Sequence, residues 1–458
     1  MHSAVWFREM KKMRFVIIGG DAAGMSAASR AKRRDPNLDV CVLEQSRDVS
    51  YSACGMPYTL ADPGRSMEEL VVRQARVFQE KFKLDLRLGH RVKAIDPQGK
   101  TVQGVQEDGG TFTLGYDRLL IATGASPMVP EVPGVELEGV HCLKSLAQGR
   151  AIKQQLDEGG VKQALIIGMG YIALEMAEAL QARGIRTQMV KPRPELLPWL
   201  DRELAEMVQA ELEDNSVELF PGHSVQGIEA RGSRLLCRCA QIDLEADLVL
   251  AAIGVKPNSE LAAAAGLELG SENAIAVNAL MQTSEPDIFS AGDCAESRHL
   301  VSGQKTWIPL ALVANRGGWA VADNVTGGHT VLEGIVGTAV FKVFDLEVAK
   351  TGLNSDEARE YGFDPAAVTI STRSRAHAHP GSSTIRVHLV GDRGSGRLLG
   401  AQMVGREGAA HRINAAAVAL HAGLGVAQFA QTDLAYAPPF GPVWDPLLTA
   451  ANQLVKQI

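Results

Sequence analysis

Cys54 sits in Ser-Tyr-Ser-Ala-Cys-Gly-Met-Pro-Tyr, residues 50–58, just ahead of a proline suited to a first helical turn. A thiolate is the species that attacks a disulfide sulfur, and the positive end of a helix lowers a thiol pKa. Cys54 is therefore expected to be a redox-active nucleophile. Gly55 to Thr59 contain no second cysteine to complete an internal dithiol. The other cysteines are Cys41, Cys142, Cys237, Cys239 and Cys294, and none has CxxC or zinc-ligand spacing, so no metal site is expected. Cys41 falls inside the apolar strand "VCVLE", and Cys237 and Cys239 alternate on one strand face, so all three are expected to pack. A redox role for Cys54 leaves its partner sulfur unassigned.

Two segments could position such a thiol against a cofactor. In "RFVIIGGDAAGMSAASRAKRRDPNLDVCVLEQ", residues 14–45, an apolar strand enters a glycine turn, an alanine-rich helix and a second strand ending in Glu44. This is a βαβ dinucleotide-binding pattern. Gly19 allows the tight turn and Gly24 allows close helix packing. Asp21 replaces the middle glycine of GxGxxG, and Glu44 lies where an acid binds a ribose hydroxyl. The pattern repeats in "QALIIGMGYIALEMAEALQARGIRTQMVKPRPELLP", residues 163–198, with Gly168, Gly170 and Ala173 as GxGxxA. There the second strand ends in Lys191, with Arg193 nearby. Two cations at that place suit the 2′-phosphate of NADPH, although NADH is possible.

Two dinucleotide sites suggest one bound flavin and one exchanging nicotinamide. "LLIATGASP", residues 119–127, reads as a strand with a small-residue turn. "TSEPDIFSAGDCAE", residues 283–296, reads as a short strand ending in Asp293 before a helix. An acid at Asp293 can accept a hydrogen bond from a flavin ribityl hydroxyl.

Composition narrows the class. A chain of 458 residues suggests about three domains. Its 46 glycines are about 10% of the residues, above the ~7% average, and many follow apolar runs as turns would. A net charge of -7 offers no basic footprint for nucleic acid. No apolar run approaches the ~18 residues of a membrane span. The charged N-terminal stretch does not read as a signal segment, so a cytoplasmic protein is expected. Met13, just before the first strand, could be the natural start.

From about Met13 onward the chain resembles the pyridine nucleotide-disulfide oxidoreductases. The resemblance rests on "GGDAAGMSAA", "IATGASP", "GMGYIALEMAE", "AAIGVKPN", "PDIFSAGDCAE", "IPLALVANRGG" and "GTAVFKVFDLEVAKTGL". "SYSACGMPY" and "AYAPPFGPVWDP" make it most similar to the single-cysteine branch of coenzyme A-disulfide reductases and NAD(P)H persulfide reductases. The resemblance implies cofactor contacts, to FAD and NAD(P)H, at Gly19, Gly20, Asp21, Ala22, Ala23, Gly24, Glu44, Val92, Thr123, Gly124, Asp293, Ala311, Gly168, Gly170, Tyr171, Ile172, Glu175, Lys191, Arg193 and Gly254. It also implies that Cys54 alternates between a thiolate and a mixed disulfide with coenzyme A. The second sulfur would then arrive with the substrate. Coenzyme A would be held by Ser26, Arg30, Arg33 and Ser50, and Tyr436 of a partner subunit would assist the leaving thiol.

Two departures stand out. Ala53 replaces the asparagine common before the cysteine. "RAHAHPGSS" places His379 where the family carries a Tyr-Tyr-Pro-Gly segment, and a histidine there could donate a proton near neutral pH.

The fold class expected is α/β, with two Rossmann-like domains and a C-terminal α+β interface domain. The FAD domain takes residues 1–124 and 251–330, the NAD(P)H domain 125–250, and the dimerisation domain 331–458. That last domain reads as strands followed by an alanine-rich helix from about Ala409 to Gly423, and its apolar residues imply a homodimer. Alternatives are an NAD(P)H oxidase or peroxidase cycling through a Cys54 sulfenic acid, reduction of another small disulfide or polysulfide, and a redox-sensing flavoprotein.

Overall fold

The apolar run Arg14–Ile18 becomes the middle strand of a five-stranded sheet in a computed structural model that describes residues 12–458. Most of the charged N-terminal stretch lies outside the described residues. The sheet order is Ile288–Ser290, Arg118–Ile121, Arg14–Ile18, Asp39–Glu44, Asp85–Leu88, and every pairing is parallel. A strand buried on both faces of a parallel sheet needs an unbroken apolar run, as "FVII" and "VCVL" supply.

The second unit repeats this plan. Its five parallel strands run Glu218–Pro221, Arg186–Lys191, Gln163–Ile167, Leu248–Ala251, Val140–Cys142. The turn after the middle strand has the same construction in both. Gly19 has φ +110 and Gly168 φ +118, where L side chains are strained. A Cβ on Gly19 would lie 2.1 Å from the Ala122 carbonyl oxygen, and one on Gly168 2.3 Å from that of Ala252. In each unit the chain passes hard against the neighbouring strand's end before the helix begins. Each unit also carries a three-stranded antiparallel sheet, at residues 90–115 in the first and 225–246 in the second. Ala125–Pro127 and Val255–Pro257 pair as an antiparallel neck between the units.

The C-terminal part is a five-stranded antiparallel sheet ordered Ala339–Val343, Leu346–Gly352, Leu398–Gly405, Thr384–Asp392, Pro365–Arg373. Leu398–Gly405 is buried throughout because the helices Ala409–His421 and Pro446–Leu454 cover one face of this sheet and the second unit, through Trp199 and Leu200, covers the other. No helix among the described residues is long and apolar enough to cross a membrane.

One local expectation fails. The strand ahead of Asp293 ends at Ser290, and turns follow it instead of a helix. The Cys294 carbonyl accepts from Ile275 N at 2.8 Å, and Glu296 N donates to the Ile275 carbonyl. These sideways bonds occupy the backbone groups that a helical ladder would need.

Candidate active site

Cys54 lies in a one-turn 3₁₀ segment, Ala53–Gly55, that runs into the helix Met56–Ala61 with Pro57 in its first turn. All six cysteines are free, and Cys54 is the exposed one. The segment ahead of it is anchored to the first glycine turn: Ser50 N donates to the Gly20 carbonyl at 3.1 Å, and Ser50 takes φ +51.

The helix after Cys54 packs on the helix Tyr171–Ala182 of the second unit. This puts Tyr58 against Glu175, its hydroxyl donating to Oε1 at 3.0 Å. Burial pushes the Glu175 carboxyl up to about 6, against the lowering effect of the Tyr58 bond, with Glu178 adding to the rise. Although Cys54 stays open to solvent, the protein around it partly desolvates the thiol and raises its pKa, the Glu175 charge adding to the rise while Lys144 opposes. This corrects the expectation that the helix start lowers it. The helix is six residues long and its N-cap is Gly55, so its dipole does not outweigh desolvation and a nearby carboxylate.

Lys144 carries no sequence signature. Its ammonium pairs with Asp293 at 2.9 Å, and Asp21 and Cys54 also lie within its electrostatic reach. The Asp293 carbonyl accepts from Trp307 Nε1 at 2.8 Å, which holds that turn in place. Asp293 is thus presented by an ion pair rather than by a helix start.

The first unit fits FAD. Gly20 N donates to Glu44 at 2.7 Å, so the carboxylate expected at a ribose is pinned beside the glycine turn. A Cβ on Gly24 would lie 2.0 Å from the Gly19 carbonyl oxygen, so helix and turn touch there. Ala22 and Ala23 form the first turn of that helix, Ala22–Arg34, and Asp21 is its N-cap. Thr123 and Asn258 exchange hydrogen bonds of 2.7 and 2.8 Å and brace Gly124, whose φ is +70. Val92 packs against the core of this unit, and Ala311 opens the helix Ala311–Val325 at an exposed position.

In the second unit Gly170 is the N-cap of the helix carrying Tyr171, Ile172 and Glu175. Open space faces Gly170, and the neighbouring Gly254 takes φ +128. Tyr171 is exposed, with its ring 6.0 Å from that of Phe341. Lys191 ends the second strand, in the place expected to meet a ribose. Its ammonium donates to the Leu196 carbonyl at 3.0 Å and to that of Glu195, within its own loop. Arg193 is exposed and makes no ion pair among the described residues.

The expected coenzyme A contacts divide. Ser26 Oγ bonds Asn315 at 2.5 Å. Arg30 is committed to Asp323 through bonds of 2.7 and 2.8 Å, with its guanidinium 5.0 Å from the Trp319 ring. Its charge is therefore balanced inside the chain. Arg33 is exposed.

The segments of Tyr436 and His379 come together. Ala376 N donates to the Pro438 carbonyl at 3.1 Å. Arg412 ties both, donating to the carbonyls of Ser374 at 3.0 Å and Phe440 at 2.5 Å, and to Asp445 at 2.9 Å. Tyr436, Phe440, Val443 and Trp444 are all exposed on this stretch.

Two dinucleotide units with a single open thiol at their seam define a flavin- and pyridine-nucleotide-linked oxidoreductase. The model of the pyridine nucleotide-disulphide oxidoreductases matches residues 13–318, and that of their dimerisation domain residues 338–446. The chain belongs to this family. It is 39% identical over 446 residues to the NAD(P)H sulfur oxidoreductase (CoA-dependent) of Pyrococcus furiosus, covering 97% of this chain and 100% of that one. It is likewise 39% identical to the NAD(P)H coenzyme A polysulfide/persulfide reductase of Pyrococcus horikoshii, over 97% of this chain and 99% of that one. Among solved structures, an NAD-dependent persulfide reductase from A. fulgidus superposes with a TM-score of 0.94 at 38% identity, covering 97% of this chain and 83% of that one.

Proposed function

We propose that this chain reduces the sulfur–sulfur bond of coenzyme A disulfide or coenzyme A persulfide with NAD(P)H, using Cys54 as the nucleophile. The observation that carries the reading is the open Cys54 thiol with no protein cysteine to pair with. The names of the two Pyrococcus relatives support a coenzyme A-linked sulfur substrate.

The Cys54 thiolate attacks one substrate sulfur. A Cys54–sulfur bond forms, the substrate sulfur–sulfur bond breaks, and one thiolate leaves. Two electrons and a proton then restore the Cys54 thiolate and release the second thiol. When bound, FAD supplies the two-electron relay from the nicotinamide hydride to that mixed disulfide. Lys144 favours the thiolate electrostatically, while Glu175 opposes it until its carboxyl is protonated. Tyr58 holds Glu175 in place by its hydrogen bond.

The active assembly in this reading is a cytoplasmic homodimer. The dimerisation domain and the exposed Phe440, Val443 and Trp444 support the second copy. Six free cysteines suit a reducing compartment. Tyr436 of one subunit would face Cys54 of the other and donate to the leaving thiolate, with His379 on the adjoining segment as a proton donor. Ser26, Arg33 and Ser50 would take the coenzyme A.

The test is thiol production with NAD(P)H and coenzyme A disulfide or persulfide. Cys54→Ser should keep FAD and abolish it. Tyr436→Phe should slow thiol release by roughly ten- to hundredfold, the loss of one hydrogen bond to a charged group. Near-normal thiol production by Cys54→Ser would eliminate the mechanism.

A further inference from the structure

Asp21 stands where a dinucleotide site has least use for a carboxylate. It is the N-cap of the thirteen-residue helix Ala22–Arg34, directly after the Gly19–Gly20 turn. In a βαβ unit the pyrophosphate rests on that helix start. The Asp21 side chain makes no capping hydrogen bond, and it forms no ion pair among the described residues. The groups facing it come from four elements. Glu44 ends the second strand, Asp293 lies in the turn after Ser290, Lys144 precedes the helix Leu146–Glu158, and Tyr51 contributes its backbone N–H. Asp21 thus faces two further carboxylates and one ammonium, and that ammonium is paired to Asp293 at 2.9 Å. Burial pushes the Asp21 carboxyl up to about 6, with Lys144 opposing and Glu44 and Asp293 adding to the rise.

A pyrophosphate brings further negative charge to this cluster, and no facing cation is free to balance it. Like charges held together in a desolvated place shed one charge by protonation. We infer that FAD binding by this chain places a proton on the Asp21 carboxylate. The proton comes from solvent, one O–H bond forms, and no electron moves. FAD release returns the proton.

The consequence is a flavin affinity set by pH. Below about pH 6 Asp21 is already protonated in the free site, and the affinity is flat. Above it, uptake of one proton raises the FAD dissociation constant by about tenfold per pH unit, until the bound-state carboxyl also ionises.

The experiment dilutes holoenzyme at constant ionic strength between pH 6 and 8 and follows released FAD by its fluorescence. The parent should lose FAD progressively as pH rises. Asp21→Asn and Asp21→Gly, the latter suited to the turn, should give flat profiles and hold FAD more tightly than the parent at pH 8. A flat parent profile would overturn the inference. So would a slope retained in both variants, or FAD held more weakly at pH 8 by both. Because the readout is flavin retention, it stands apart from the identity of the sulfur substrate.

Discussion

Replacing Arg412 by methionine should loosen the segment that carries Tyr436 without touching either nucleotide unit. Arg412 and Asp445 are among the better-buried ion pairs of the chain, with side chains 12% and 13% exposed and an Nε–Oδ2 distance of 2.9 Å. Arg412→Met keeps the aliphatic stem and strands the Asp445 charge, which also caps the helix Pro446–Leu454 through Leu447 N. Breaking a buried pair by removing one partner costs about 3–5 kcal/mol. The carbonyls of Ser374 and Phe440 lose their donor as well. At roughly 2–4 °C per kcal/mol, the unfolding midpoint of the C-terminal part should fall on the order of 10 °C. Ellipticity on heating follows that transition, and parent and variant must be compared at equal concentration because association shifts the midpoint. Asp445→Asn in the Arg412→Met background removes the stranded charge and should recover part of the loss, as a double-mutant cycle would show. Thiol production should fall in Arg412→Met while FAD content stays at the parent level. A midpoint indistinguishable from the parent's would refute the claim that Arg412 holds this segment.

Glu175→Gln keeps an acceptor for the Tyr58 hydroxyl and removes the carboxylate that raises the Cys54 thiol. The pH profile of Cys54 alkylation should move to lower pH, and an unmoved profile would mean that Glu175 does not act on the thiol. Gly168→Ala forces a Cβ to 2.3 Å from the Ala252 carbonyl oxygen at φ +118. Such backbone strain costs about 1–3 kcal/mol, so the KM for NAD(P)H should rise while FAD is retained; unchanged nicotinamide kinetics would show that the turn relaxes freely.

Much of the architecture was legible because it follows short-range rules. An apolar strand, a glycine turn and an alanine-rich helix are written within about thirty residues, and they recur at residues 14 and 163. A positive φ and a close backbone approach both demand glycine, so Gly19 and Gly168 could be read from residue type alone. The same holds for Cys54, whose neighbours contain no second thiol. The C-terminal helix read from about Ala409 forms as Ala409–His421 because its apolar side faces a sheet whose strands were also readable.

What the tertiary structure alone decided are the partners of charges. Local sequence shows that Arg30 and Lys191 are cations but not what faces them. Asp323 lies 293 residues from Arg30, and the acceptors for Lys191 are backbone carbonyls that no side-chain pattern displays. Lys144 meets Asp293 across 149 residues, and Tyr58 meets Glu175 across 117, because the two nucleotide units pack with those surfaces in contact. The Cys54 thiol follows the same rule. Its helix start is a local feature that argues for a lower pKa, whereas the burial and the Glu175 charge that raise it exist only once the second unit has docked. Backbone conformation is set by residues a few positions apart, but desolvation and Coulomb energy depend on distance in space, which the chain settles only when its domains close on one another.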